Sequence, residues 1–262
     1  MASYSKTGTK TIAKALSILG YNIYDFEEHF LYHHDQWQQI FNGQDPIPIF
    51  KDMYKNVDAI MDVPTYHYWQ QISEAFPEAK ILFVERDADK WVKSVISMFE
   101  IINDTRWFDQ KWKRTLARPL IYCLSPTLLK FSDWMDTTFT QAIGPNLDTI
   151  GKPNNQDRFS RTNMKTLYEK HSCHVKMLAP KDRFLVFEMK QGWGPLCKFL
   201  EKEVPKNVEF PHSNQKGSIV SDIYDGDDNR KGREVINREI RKRVGIFLSV
   251  VCAVVAIYFV AR

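Results

Sequence analysis

Three short apolar runs, each followed by an amphipathic helical pattern, constrain the fold of this chain more than any other feature. Residues 80–85 (KILFVE) form one run, and residues 88–99 follow with Trp91, Val92, Val95, Ile96 and Phe99 on one helical face. Residues 58–62 (DAIMD) form a second, halted at Val63-Pro64 and followed by a helical pattern over residues 66–76. Residues 183–188 (RFLVFE) form a third, and a helix from about residue 194 to 203 then buries Leu196, Phe199 and Leu200. Buried strands alternating with helices indicate a parallel sheet with crossover helices. The expected fold class is α/β, a three-layer α/β/α parallel sheet in which sites gather at the carboxyl ends of the strands.

The chain has 262 residues, 44% hydrophobic and 13% aromatic, enough for a sizeable core and incompatible with a disordered protein. Its net charge is +4, with lysine and arginine spread along the chain and one cluster at Arg238, Arg241, Lys242 and Arg243. That distribution excludes a general nucleic-acid binder, which carries a dense basic face, and suits a pocket for a small polyanion. Cys123, Cys173, Cys197 and Cys252 form no CxxC pair, and the N-terminus has no signal-peptide core, so a reducing, cytosolic setting is expected for the globular part.

The C-terminal end differs in composition. Residues 244–261 are an uncharged run of 18, which spans roughly 27 Å as a helix, close to the thickness of a bilayer core. The run is apolar on all faces and follows the basic cluster, so a single-pass membrane span with the globular domain in the cytosol is expected, a tail-anchored arrangement. A buried C-terminal helix is the alternative. The expected organisation is a catalytic-type α/β domain over residues 1–217, a polar and basic linker over 218–243, and the span over 244–261. Within the first, residues 100–175 show helical segments (107–116, 120–131 and 162–177) but no convincing strand. They are expected to form an inserted helical cap that shapes an acceptor pocket or is simply a packing layer. Residues 144–156 and 211–233 have the composition of loops, and no internal repeat is present.

Ahead of the first helix lies Ser5-Lys6-Thr7-Gly8-Thr9-Lys10-Thr11, followed by Ile12, Ala15, Leu16 and Leu19 at helical spacing and Gly20 at the stop. Such a turn presents unpaired N–H groups and the positive end of a helix dipole, which suits phosphate or sulfate, and Lys6 adds a point charge. It is not a Walker loop, because Gly8 is followed by Thr9 rather than by Lys-Ser/Thr. An ordinary helix entry has the same composition. Just past the run over residues 80–85 stands Arg86, with Ser94 eight residues on. An arginine at a strand end holds a phosphate through paired donors, and a serine about two helical turns further adds a hydroxyl.

Lys-Thr-Gly-Thr before a helix, then Arg and Ser eight apart after a buried strand, resembles the P-loop-related sulfotransferases. The likeness extends through VDAIMDVP, FPEAKILFVERDADKWVKSV, the segment over residues 168–200 and VPKNVEFPHSN, covering roughly residues 4–217. The resemblance implies a P-loop NTPase-like sheet and the co-substrate 3′-phosphoadenylyl sulfate (PAPS), with no metal. It implies that Lys6 stabilises the leaving phosphate and that Ser5, Lys6, Thr7, Gly8, Thr9, Lys10 and Thr11 line the 5′ phosphosulfate. Arg86 and Ser94 take the 3′ phosphate, and Arg230, Lys231 and Gly232 stand where the family often places a late Arg-Lys-Gly contact; a charged linker explains them equally well. The acceptor is a hydroxyl or amine on a small molecule or lipid.

Where cytosolic members carry His-Leu-Pro, this chain reads Asp62-Val63-Pro64. Asp62 is the catalytic base expected from that position; a helix cap and a Walker B carboxylate holding Mg²⁺ are its alternatives. His29 and His33 lie one helical turn apart without a third ligand nearby, so a solvated or half-buried helix face is expected there. The resemblance also implies a buried central strand before the phosphate loop, yet only residues 1–4 precede it. A start cut short, with unpaired neighbouring strands and weakened nucleotide binding, is the expectation. Two other classes compete: a nucleotide kinase or NTPase on the same scaffold, and a non-catalytic membrane-tethered protein. Residue types do not read out the acceptor, the membrane or the oligomeric state.

Overall fold

In the computed structural model, which describes residues 1–105, 119–120, 122–143, 155–212 and 230–260, the spacing of Ile12, Ala15 and Leu16 produces helix α1, Thr9–Ile18, with all three side chains buried. Strand β1, Ile23–Tyr24, leads to Asp25, whose carboxylate accepts the Phe26 N–H at 2.8 Å while Glu28 accepts the Asp25 N–H at 3.1 Å. This reciprocal capping starts helix α2, Phe26–Phe41. Helix α3, Pro46–Met53, begins with proline, whose missing N–H costs nothing in a first turn, and Asp45 caps the Ile47 N–H at 3.1 Å.

Strand β2, Ala59–Ile60, helix α4, Trp69–Ala75, strand β3, Ile81–Val84, and helix α5, Ala88–Thr105, follow the first two apolar runs and their helices. Helix α6, Pro126–Ile143, and helix α7, Asn155–Leu178, supply the long helical layer, and α7 packs on α5. Strand β4, Phe184–Phe187, helix α8, Trp193–Leu200, and helix α9, Arg230–Val260, complete the described chain. The expected helix over residues 107–116 and most of the 144–156 and 211–233 loops lie outside the described residues.

The fold is mixed α/β, with small parallel sheets among the described residues. β1 pairs with β2, Ile23 opposite Ala59, and β3 pairs with β4, Ile81 opposite Phe184. A single continuous sheet was expected, and the two halves are separated at the position of the short N-terminal segment. The Met1 amine donates to the Ile60 carbonyl at 2.6 Å, and the Ala2 N–H donates to the Leu82 carbonyl at 2.9 Å. Ser3 Oγ accepts the Val84 N–H, and His171 Nε2 lies 2.7 Å from the Ala2 carbonyl. Residues 1–4 thus bridge β2 and β3 in the interior, with Ala2, Ser3 and Tyr4 buried.

Backbone groups alternate sides along a strand, and the Ala59 and Met61 N–H groups already bond toward β1. The Ile60 and Leu82 N–H groups therefore face the space beside and ahead of Met1. That space is a cavity of about 620 Å³ whose walls include Ile60, Leu82, Trp69, Phe76 and Phe199. Burial there pushes the Met1 amine down to about 5.

α9 is one helix from Arg230, so residues 230–243 are ordered helix rather than a loose linker. Ser125 and Thr127 hydroxyls donate to Glu239 at 2.6 and 2.7 Å, pinning the charged half of α9 against the start of α6. Beyond it, Ile246, Phe247, Leu248, Val250 and Ile257 are exposed. Among the described residues no helix is long and apolar enough to cross a membrane. The membrane span expected from sequence is not met by this helix.

One buried histidine, His29, and one part-buried histidine, His171, are expected to make the fold acid-sensitive. His29, expected on a solvated or half-buried helix face, is fully buried, with Nε2 donating to the Met61 carbonyl at 3.1 Å and Nδ1 accepting from Tyr54 at 3.2 Å. Burial pushes both His29 and His171 down to about 4. The unfolded chain takes up these protons near pH 6.5 and the folded chain only near 4. Stability is therefore full above pH 6.5 and declines as the pH falls toward 4. Urea unfolding at pH 7 and pH 5 is expected to differ by about 4 kcal/mol from the two groups together. Equal midpoints at the two pH values would contradict it.

Candidate functional site

The loop over residues 5–8 leaves the sheet where residues 1–4 end and turns into α1 through two left-handed residues, Lys6 at φ 67° and Gly8 at φ 114°. Gly8 is the N-cap and offers no side chain, so the first-turn N–H groups of α1 have no side-chain cap. A Cβ on Gly8 would stand 2.2 Å from the Met189 methyl, so the side chain following β4 closes over the loop. Thr7 donates to the Tyr4 carbonyl at 2.7 Å, and Thr7, Thr9 and Thr11 are buried. Lys10 turns aside to pair with Asp25 at 2.9 Å.

Arg86 follows β3 and reaches the same loop: its guanidinium donates to the Lys6 carbonyl. The two motifs, 80 residues apart, therefore meet. Trp91, one turn into α5, donates its indole N–H to the Ser5 carbonyl at 2.8 Å. Ser94 lies three residues after Trp91, which puts it on the same side of α5 as the residue that touches the loop.

Burial pushes Lys6 down to about 8; the nearby Asp62 raises it and the nearby Arg86 lowers it further. Arg86 is also lowered, first by burial. Two cations held half-desolvated next to each other and next to uncapped N–H groups form a site whose electrostatics call for an anion.

Asp62 stands at the end of β2 in a left-handed conformation, φ 68°. Its Oδ1 accepts the Ser5 hydroxyl and the Val63 N–H, the latter at 2.7 Å. Burial, then the nearby Asp25 carboxylate, raises its pKa, while Ser5, Lys10 and the Val63 N–H oppose the rise. The carboxylate therefore sits against Ser5, at the start of the loop, with a strengthened hold on a proton. Among the described residues no group of three His, Cys, Asp or Glu side chains is arranged to hold a metal.

Arg230, Lys231 and Gly232 are not joined to Arg86. Arg230 pairs with Glu234 at 2.9 Å, Lys231 with Glu28 at 2.9 Å, and the Gly232 N–H donates to Glu27 at 2.6 Å. The triplet docks the start of α9 on the acidic first turn of α2.

Asp25, Trp91, Met189 and Tyr168 belong to the neighbourhood of the site without a sequence signal that marks them. Trp91 was legible only as part of an apolar helix face, and Tyr168 lies 82 residues from its partner Arg86.

Residues 1–219 match the sulfotransferase domain. Among curated proteins, the chain is 28% identical over 174 residues to the Ava biosynthesis cluster protein M of Aspergillus versicolor, covering 66% of this chain and 58% of that protein. The chain thus spans less than two thirds of that relative's length. The family match runs from the buried N-terminal segment through the loop over residues 5–8, Asp62, Arg86 and β4 to residue 219: the chain belongs to the sulfotransferase domain family.

Proposed function

We propose that this chain moves a sulfuryl group from PAPS to a hydroxyl or amine acceptor. The observation that supports it most is the contact between Arg86 and the Lys6 carbonyl, which places two cations and an uncapped helix start within one cradle. A nucleotide carrying phosphates at both ends fits such a pair: residues 5–9, with Thr11, take the 5′ phosphosulfate, and Arg86 with Ser94 takes the 3′ phosphate. Lys10 contributes from the Asp25 pair as a second-line charge.

In the reaction, the bond from sulfur to the acceptor oxygen or nitrogen forms as the bond from sulfur to the 5′ phosphate oxygen breaks. Negative charge grows on that phosphate, where Lys6 and the loop N–H groups are aimed. The acceptor proton passes to the Asp62 carboxylate. No residue in this account requires a metal.

Incubation with radiolabelled PAPS and a panel of alcohols, phenols and amines tests the activity. Label transferred to an acceptor at a rate above that of the Arg86→Ala variant is expected; equal background in both would contradict it.

The exposed apolar half of α9 and the basic residues before it support attachment to a bilayer from its cytosolic side, with a lipid or apolar small molecule as acceptor. In flotation with anionic phospholipid vesicles, the full chain is expected at the top of the gradient and a chain ending at residue 243 at the bottom. A full chain that stays at the bottom would contradict attachment.

A further inference from the structure

Tyr168 is buried in the middle of α7, and its hydroxyl makes two hydrogen bonds to one residue of the site. It accepts the Arg86 N–H at 3.1 Å and donates to the Arg86 carbonyl at 2.8 Å. The ring stacks on Trp91, centroids 4.8 Å apart and planes 25° apart, and Trp91 in turn holds the Ser5 carbonyl. Arg86 comes two residues after β3, just past the last bond toward β4, from the Glu85 N–H to the Phe187 carbonyl at 2.8 Å, and among the described residues no strand pairs with it. A side chain that satisfies both the donor and the acceptor of a single residue does the work of a missing neighbouring strand.

We infer that Tyr168 is a positioning residue for the 3′-phosphate end of the nucleotide site, acting through the backbone of Arg86. The inference rests on the sulfotransferase reading of that site. It also gives α7 a task other than shaping an acceptor pocket: the helix carries the clamp that aims the arginine. The hydroxyl bonds the Arg86 backbone twice and also lies within reach of the Ser172 hydroxyl on its own helix, while the ring supports Trp91 and, through it, the 5′ loop. The two functions are therefore separable by substitution. Tyr168→Phe keeps the stacked ring and removes the clamp.

The test compares two ligands on the full chain by calorimetric titration: 3′,5′-adenosine bisphosphate (PAP), and 5′-AMP, which lacks the 3′ phosphate. Tyr168→Phe is expected to weaken PAP about tenfold, the cost of freeing a charged contact from its support, and to leave 5′-AMP within twofold. In the Arg86→Ala background the same substitution is expected to change PAP affinity no further. Tyr168→His, which retains a ring and a donor, is expected to lie between wild type and Tyr168→Phe and serves as the test variant if the phenylalanine form does not fold. Equal losses for both ligands, or a full loss persisting without Arg86, would make Tyr168 a general packing residue and overturn the inference. Wild-type protein that binds 5′-AMP and PAP equally would instead overturn the 3′-phosphate reading itself, with or without any effect of Tyr168.

Discussion

Asp62→Asn is expected to lower the rate of sulfuryl transfer by about 10²–10⁴-fold while leaving the protein folded. The side chain keeps its shape, and its amide oxygen still accepts from Ser5 and the Val63 N–H, so the end of β2 is not disturbed. What disappears is the acceptor for the proton. Because burial raises the Asp62 pKa, the wild-type rate is expected to fall on acidification at a pH above the usual carboxylate range near 4. The same shift predicts a stability change of opposite sense. A carboxyl with a raised folded pKa opposes folding increasingly as the pH rises from its unfolded value to its folded one. Asp62→Asn is accordingly expected to melt no lower than wild type at pH 7. Initial rates across pH and melting curves at pH 7 check both; an unchanged rate would remove Asp62 as the base.

Arg86→Ala carries the second large effect, a loss of about 30–1,000-fold in PAP affinity, the range for removing one partner of a half-buried charge pair. Two contributions add. The 3′ phosphate loses its guanidinium, and the Lys6 carbonyl loses the donor that holds a left-handed loop residue in place. Arg86→Lys separates them: it restores charge without the forked donor geometry and is expected to recover only part of the affinity. Titration with PAP measures all three proteins, and full affinity in Arg86→Ala would contradict the site.

The strands and crossover helices were legible because their signals are local. Ile81, Leu82, Phe83 and Val84 are all buried, as a continuous apolar run demands, and Ile12, Ala15 and Leu16 face the core as their spacing requires. β1 was not legible, since two residues have no periodicity, and its partner in sequence lies far away at β2. The interior role of residues 1–4 was foreseen only as a weakness. The structure adds that these four residues do bridge the two half-sheets, anchored by His171 from α7.

Within the candidate site, Lys6, Gly8 and Arg86 were singled out from residue type and place and Asp62 from the family resemblance, and in the fold they converge on one loop. Their supports were not, because Trp91, Tyr168 and Met189 act through distant backbone groups and look in sequence like ordinary core. Lys10 and the triplet at Arg230 are instead held by carboxylates in this fold. A basic residue near a phosphate loop, or in a familiar triplet, also pairs readily with nearby carboxylates such as Asp25, Glu27 and Glu28. The apolar C-terminal run has the composition of a span, but among the described residues no helix is long and apolar enough to cross a membrane.

The measurement that bears most directly on this account is the melting temperature of the full chain at pH 7.5 with increasing PAP. A ligand that binds only the folded state raises it in proportion to the logarithm of its concentration above Kd. A rise of several degrees is expected at 100-fold excess over Kd, roughly 2.7 kcal/mol of added stability, with a clearly smaller rise in Arg86→Ala at the same PAP concentration. A folded wild-type chain whose melting temperature does not move at millimolar PAP would contradict it.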